Sequence, residues 1–222
     1  MKKTLNRTVF GFAKKLSNNV FGAGLTSQNV FLKWLISFLM RTARLFSWTS
    51  WNKYFFELRH PNDPWFAIGA SKFINSIIDE NHEGFEWGSG RSTLWFAERV
   101  RYLKSVEHNQ KWYQFVSTQL SDKKLHSKVD YVLCSFANEA VASAEEKSKY
   151  IGCLNKNYDF IIVDGCFRPE SAIFAINKVK KGGYIIIDNA DREDMRHIIK
   201  SLIPNLLESF DDGIQTTSIY KM

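Results

Sequence analysis

From residue 83 to residue 220 the apolar positions of this chain alternate between two periods. Short runs that are apolar throughout, such as YDFIIV and YIIID, suit strands buried on both faces. Longer runs with apolar residues three and four apart suit helices. The pattern predicts strands at 83–87, 102–106, 130–134, 158–163 and 184–187. Helices are predicted at 91–101, 110–120, 145–154, 169–179 and 193–202, and a last pair of strands at 206–210 and 216–220. Ahead of them, PWFAIGASKFINSII reads as a helix with Pro64 near its first turn. Such alternation calls for right-handed crossovers and an α/β domain: a mostly parallel seven-stranded sheet with helices on both faces.

The first 60 residues are patterned differently. Helical pieces are interrupted at Gly11, Gly22 and Gly24, and Phe31, Trp34, Leu35, Phe38 and Leu45 share a wide apolar sector. HPNDPW, residues 60–65, marks the boundary between an N-terminal helical extension, 1–60, and the α/β domain, 61–222. VFLKWLISFLM contains Lys33 and falls short of the roughly 20 apolar residues of a membrane span. The opening MKKTLNRTVFGFAKKL starts like a secretory signal, but Lys14 and Lys15 cut the apolar run and no small-residue cleavage site follows. The expected location is cytoplasmic, with peripheral contact at a membrane as a variant.

Charge sharpens that division. The net charge is +7, yet residues 1–60 hold ten basic residues and one acidic residue, Glu57, while the remainder holds 20 basic and 22 acidic. Attraction to an anionic surface therefore belongs to the front segment. Three uses compete for it: a lid over a substrate, adhesion to an anionic membrane through Phe10, Phe12, Phe31, Trp34 and Phe38, or phosphate contacts from Lys2, Lys3, Arg7, Lys14 and Lys15. The lid is favoured, and nucleic acid ranks last because no recognition module accompanies the charge. The 45% apolar and 24% charged composition is that of a folded domain. Cys134, Cys153 and Cys166 are odd in number and form no C-x-x-C, which implies no disulfide framework and a reducing compartment.

The chemistry concentrates at predicted strand ends. Gly88 and Gly90 close the first strand, and Glu107, 19 residues past Gly88, closes the second, where a carboxylate can accept both hydroxyl protons of a ribose. A dinucleotide would use the same pair, but Thr93 replaces the third glycine of G-x-G-x-x-G. FEWGSGRSTLWFA followed by VEHNQKWY resembles the first two motifs of class I S-adenosylmethionine-dependent methyltransferases. It is most similar to a bacterial and viral branch of small domains with E-x-G-S-G-x-S-T, over about residues 64–220. The resemblance implies a Rossmann-like methyltransferase fold with S-adenosylmethionine as cofactor. It implies that Glu86, Gly88, Ser89 and Gly90 border the methionine half and that Ser92 and Thr93 start the helix beneath. Glu107 would take the ribose with His108 beside it, and Ser135 and Phe136 would flank the adenine.

Two later strands end in Asp164 and Asp188. With Asn189 they make a donor set for a hard cation such as Mg²⁺. The trio resembles the metal ligands of cation-dependent catechol-type O-methyltransferases, although Phe167 stands where that family has a lysine base. Without a metal, Asp164 would face the cofactor and Asp188 would accept the substrate proton. Arg168 and Arg192 follow the same loops. They either clamp an anionic group of the substrate or pair with Asp164, Asp191 or Glu193.

The expected function is methyl transfer from S-adenosylmethionine, O-directed, to a small-molecule or sugar-containing acceptor; the sugar is implied only by the resembling branch. Two alternatives stand beside it. A nicotinamide-linked oxidoreductase is disfavoured by Thr93 and by the lack of a Tyr-x-x-x-Lys pair after the fourth strand, and a non-catalytic nucleoside-binding scaffold is the other. The chain contains no H-E-x-x-H, P-loop or G-x-S-x-G.

Overall fold

The computed structural model describes residues 48–222. The expectations for the basic front segment up to residue 47, lid, membrane and nucleic acid alike, lie outside the described residues. Those residues form two compact units, 48–61 with 211–215 and 62–210 with 216–222. The first contains helix α1 (Trp48–Arg59), in which the Lys53 ammonium lies 3.1 Å from Asp212 Oδ2 with both side chains almost out of water. No helix among the described residues is long and apolar enough to cross a membrane.

The larger unit is built on seven strands: β1 (Glu83–Trp87), β2 (Tyr102–Glu107), β3 (Val129–Leu133), β4 (Tyr158–Val163), β5 (Val179–Asp188), β6 (Leu206–Asp211) and β7 (Thr216–Lys221). Their order is β3-β2-β1-β4-β5-β7-β6. The first five run parallel, and β7 pairs antiparallel with β5. Helices α2 (Ala70–Ile77), α3 (Arg91–Ala97), α4 (Gln110–Asp122), α5 (Ala144–Gly152), α6 (Arg168–Ile176) and α7 (Arg196–Leu202) accompany the strands. Alternate residues of each strand feed opposite faces. Phe85, Trp87, Ile161, Val163, Ile185 and Ile187 form one core layer, and Phe160, Ile162, Ile186, Leu103 and Phe96 form the other. β4 and the second half of β5 are buried on both faces, which is why they read as unbroken apolar runs.

Several boundaries move. The helix expected from Pro64 begins at Ala70, because Gly69 has φ +94°, a left-handed conformation that no helix passes through. The Ala67 N–H meanwhile donates to Thr217 Oγ1 rather than to a helical carbonyl. The helix expected over 91–101 ends at Ala97, and the one expected over 193–202 opens as a 3₁₀ turn, Glu193–Met195, before α7. β5 starts five residues early, at Val179, with a register shift opposite Tyr158 and Phe160 that absorbs the polar KKGG.

The sheet order reverses between β1 and β4, and in such sheets ligands bind beyond the carboxyl ends at that crevice. Here the two strand ends touch. A Cβ on Gly88, whose φ is +85°, would lie 2.8 Å from the backbone of Gly165, and one on Gly165 would lie 2.1 Å from the Tyr150 hydroxyl. Gly88 is thus required by the packing of two strand tips, in addition to its turn.

Candidate active site

Beyond those tips lies a cleft of about 810 Å³, walled by Gly88, Ser89, Glu107, His108, Trp112 and Asp164 among others. Glu107 ends β2 and is 3% exposed. Its Oε1 accepts the backbone N–H groups of His108 (2.9 Å) and Asn109 (2.8 Å), while Oε2 accepts the Ser89 hydroxyl (2.7 Å) and the Ser89 N–H (3.2 Å). Burial pushes the Glu107 pKa up, but the bonds from His108, Asn109 and Ser89 outweigh it and hold the carboxyl below its ordinary value. It is an anion at the mouth of the cleft. The Tyr131 hydroxyl lies 2.7 Å from Ser89 Oγ, extending the chain of oxygens to β3.

His108 places Nδ1 3.1 Å from Glu107 Oε1 and stacks its ring on Phe136, centroids 4.9 Å apart. Cys166 Sγ lies 3.7 Å from Nδ1 and 3.8 Å from Nε2. The thiol and the carboxylate favour the imidazolium and push its pKa to about 10. The crossover of the chain brings His108 to Cys166, 58 residues further on. Phe136 meets the main cleft only through the His108 ring; with exposed Ser135 it lines a second, smaller cleft of about 410 Å³, together with Cys134 and Lys149.

Gly90 is not among the residues that wall the main cleft. Its N–H donates to Thr93 Oγ1 (3.0 Å), and that hydroxyl in turn donates to Glu86 Oε2 (2.6 Å). Glu86 is fully buried beneath α3; Ser105 also donates to Oε2, and Oε1 makes no hydrogen bond. Burial pushes its pKa to about 7 despite the hydroxyls of Ser92, Thr93 and Ser105 beside it. Glu86, Ser92 and Thr93 therefore form a buried polar knot under the hinge rather than a wall of the cleft.

Asp164 does face the cleft, with about a quarter of its side chain exposed (26%). Burial raises its pKa to about 6; Arg168 opposes that rise and Glu86 adds to it. Arg168 Nη2 donates to Asp164 Oδ1 and to the Asp164 carbonyl, both at 2.7 Å. Nη1 donates to the Asp188 carbonyl (2.6 Å) and Nε to the Gly165 carbonyl (3.1 Å). The guanidinium is buried and spent on the tips of β4 and β5, so the expected substrate clamp is replaced by the pairing alternative. Arg192 likewise forks onto Asp194 at 3.0 and 2.6 Å.

The donors expected for Mg²⁺ do not fit a divalent cation. Asp188 is 4% exposed and its Oδ1 accepts the Thr217 hydroxyl (2.7 Å), while Arg168 stands between Asp164 and Asp188 as the resident positive charge. Asn189 sits in a left-handed turn, φ +51°, where its carbonyl accepts the Arg192 N–H. Among the described residues no cluster of three His, Cys, Asp or Glu side chains could hold a metal. Phe167 is no base either: it is buried, caps α6 with φ +51°, and packs on Phe136 and Tyr150.

Trp112 and Asn109 were not anticipated. Trp112 Nε1 donates to the Ser89 carbonyl (2.8 Å) and so pins the hinge, and Asn109 Oδ1 caps α4 by accepting the Trp112 N–H (3.0 Å). An asparagine just before an apolar-periodic run is the sequence signal that could have marked that cap.

No protein-family model matches the chain, and no curated protein matches it. Solved structures do. A Staphylococcus aureus protein assigned as a caffeoyl-CoA O-methyltransferase superposes with TM-score 0.54 at 16% identity, over 84% of this chain and 98% of that one. The O-methyltransferase TomG of Streptomyces achromogenes, solved with S-adenosylmethionine, gives 0.54 at 15%, over 74% and 85%. The tRNA m1G37 methyltransferase of M. jannaschii gives 0.50 at 13%, over 68% of this chain and 47% of that longer one. The fold is the Rossmann-like fold of class I S-adenosylmethionine-dependent methyltransferases, the mostly parallel seven-stranded sheet expected from the sequence.

Proposed function

We propose that the chain is an S-adenosylmethionine-dependent methyltransferase acting on an oxygen of a small-molecule or sugar-containing acceptor. One observation carries this reading: an ionised, hydrogen-bonded Glu107 and the Ser89 hinge occupy neighbouring strand tips in a single cleft of about 810 Å³. That volume is in the range of small-ligand sites. The residues present fit a nucleoside: Glu107 to hold the ribose hydroxyls, the His108–Phe136 stack to flank the base, and the Gly88–Ser89 turn to border the amino-acid end.

A pyrophosphate fits less well. The Gly90 N–H, which would meet it at the helix start, is already engaged by Thr93, and the buried Glu86 carboxyl lies directly behind. This favours methyl transfer over nicotinamide chemistry.

When bound, S-adenosylmethionine supplies an electrophilic methyl on a sulfonium. The chain's own contribution is to orient the acceptor, exclude water and hold a proton at Asp164. With a pKa near 6, Asp164 is largely ionised at neutral pH, and Arg168 fixes the rotamer of the carboxylate through Oδ1. Residues 61–222 are assigned to this activity. Residues 1–60 are assigned as a lid, because their sequence is rich in aromatic residues and a methyl-transfer pocket needs walls that a bare sheet does not supply.

The test is titration calorimetry of the full chain with S-adenosylhomocysteine and with NAD. Binding of the former alone supports the reading, and binding of NAD alone overturns it. Methyl consumption across an acceptor panel then separates an enzyme from a scaffold, which would bind without turnover.

A further inference from the structure

Cys134 and Cys153 are 19 residues apart in the chain, yet their sulfurs lie 3.2 Å from each other, both as free thiols. Cys134 follows β3 and Cys153 caps the C-terminus of α5, so the two thiols face each other across the crossover that joins these elements. We propose that this pair is a covalent modification site, closing into a reversible intramolecular disulfide when it meets a disulfide oxidant of the glutathione class.

The geometry demands little. Sulfurs 3.2 Å apart need to approach by only about 1 Å to bond. Cys134 itself is 4% exposed, but it lines the smaller cleft of about 410 Å³, which gives a reagent its path; Lys149 on the same wall favours thiolate. Glu145 and Glu146 on that wall oppose it in part. The Cys153 thiol, the leading influence, together with Lys149 and Lys104 brings the Cys134 pKa down to about 7 against burial, while Cys153 moves up. Because Cys134 lines the cleft beside Lys149, it is assigned as the attacking sulfur and Cys153 as the resolving one.

The Cys134 thiolate attacks one sulfur of glutathione disulfide, forming a mixed disulfide and releasing one glutathione thiolate. Cys153 gives up its proton, attacks Cys134 Sγ and expels the second glutathione. Two protein thiols are oxidised, one external disulfide is reduced to two thiols, and the two protons pass to the released glutathiones.

The pair is coupled to the main cleft. The Cys134 N–H donates to the Glu107 carbonyl (2.8 Å), and two residues on, Phe136 carries the His108 ring.

The proposal does not rest on the methyltransferase reading, and its test needs no cofactor. The full chain is incubated with glutathione disulfide, its remaining thiols are blocked with N-ethylmaleimide, and the unreduced protein is weighed and digested. Of three cysteines, one should then take up the label, Cys166. The intact protein should have lost two hydrogens, and one cross-linked peptide should join Cys134 to Cys153; dithiothreitol should restore all three labels. Cys153→Ala should instead leave Cys134 as a stable glutathione adduct. Three labels after oxidation, glutathione adducts on both Cys134 and Cys153 of the wild type, or a cross-link to Cys166 would each overturn it.

Discussion

Arg168 holds Asp164 by two atoms at once: Nη2 lies 2.7 Å from the side-chain Oδ1 and 2.7 Å from the main-chain oxygen. The same guanidinium reaches the Asp188 carbonyl, so one side chain ties the ends of β4 and β5 together. It is a structural cation set where the sequence suggested a metal.

Arg168→Met should therefore cost about 3 kcal/mol of stability, because a half-buried carboxylate and three carbonyls lose their donor. Arg168→Lys restores the charge without the fork and should recover less than half. Urea denaturation measures both. In the wild type, methyl transfer should proceed equally in EDTA and in Mg²⁺; loss of turnover in chelator would restore the cation.

Glu86 sets a pH dependence. Its folded pKa, about 7, lies above the ordinary 4.5, so between these values the unfolded chain has released a proton that the folded one keeps. Stability then falls as pH rises from about 4.5 to 7 and levels off above, by an amount on the order of 3 kcal/mol. Glu86→Gln, uncharged at every pH, should remove that slope and be the more stable protein at pH 8. Parallel urea curves of both proteins at pH 5 and pH 8 check it.

The two hinge glycines should behave differently on substitution. Gly88→Ala forces a left-handed alanine against Gly165 and should destabilise by roughly 2–4 kcal/mol. Gly90 has extended backbone, φ 163°, and a Cβ there would meet only Trp112 at 3.7 Å. Gly90→Ala should stay within about 1 kcal/mol of wild type. Thermal melts of the two variants decide the matter.

Glu107→Gln should weaken S-adenosylhomocysteine binding by roughly tenfold to a hundredfold, the worth of a charge-assisted hydrogen bond. The same change should lower the His108 pKa from about 10 towards its ordinary value, because Glu107 is one of the two groups that hold the imidazolium. Calorimetry reads the first effect and imidazole NMR titration the second. Unchanged affinity would detach Glu107 from the nucleoside.

How far the chain could be read without coordinates depended on range. Strands β1 to β4 fell within a residue of their predicted limits, because the signal of each lies in its own residues. The 19-residue step from Gly88 to Glu107 located two adjoining strand tips, since a strand, a helix and a second strand fill that length. The early start of β5 escaped, because KKGG carries no apolar period. So did the engagement of Arg168 with Asp188, the meeting of His108 with Cys166 and that of Cys134 with Cys153. Each joins separate elements brought together by crossovers, and local periodicity carries no information about such partners.

The run from Tyr131 through Ser89 to Glu107 has a further bearing. The Ser89 hydroxyl donates to Glu107 Oε2, so a nucleoside hydroxyl that took that oxygen would exchange one hydrogen bond for another. The sugar's net gain is therefore smaller than the full worth of its bonds to Glu107. Discrimination among ligands must then come from their two extremities, the base and the amino-acid tail, with the sugar acting as a gauge of how far apart those ends lie.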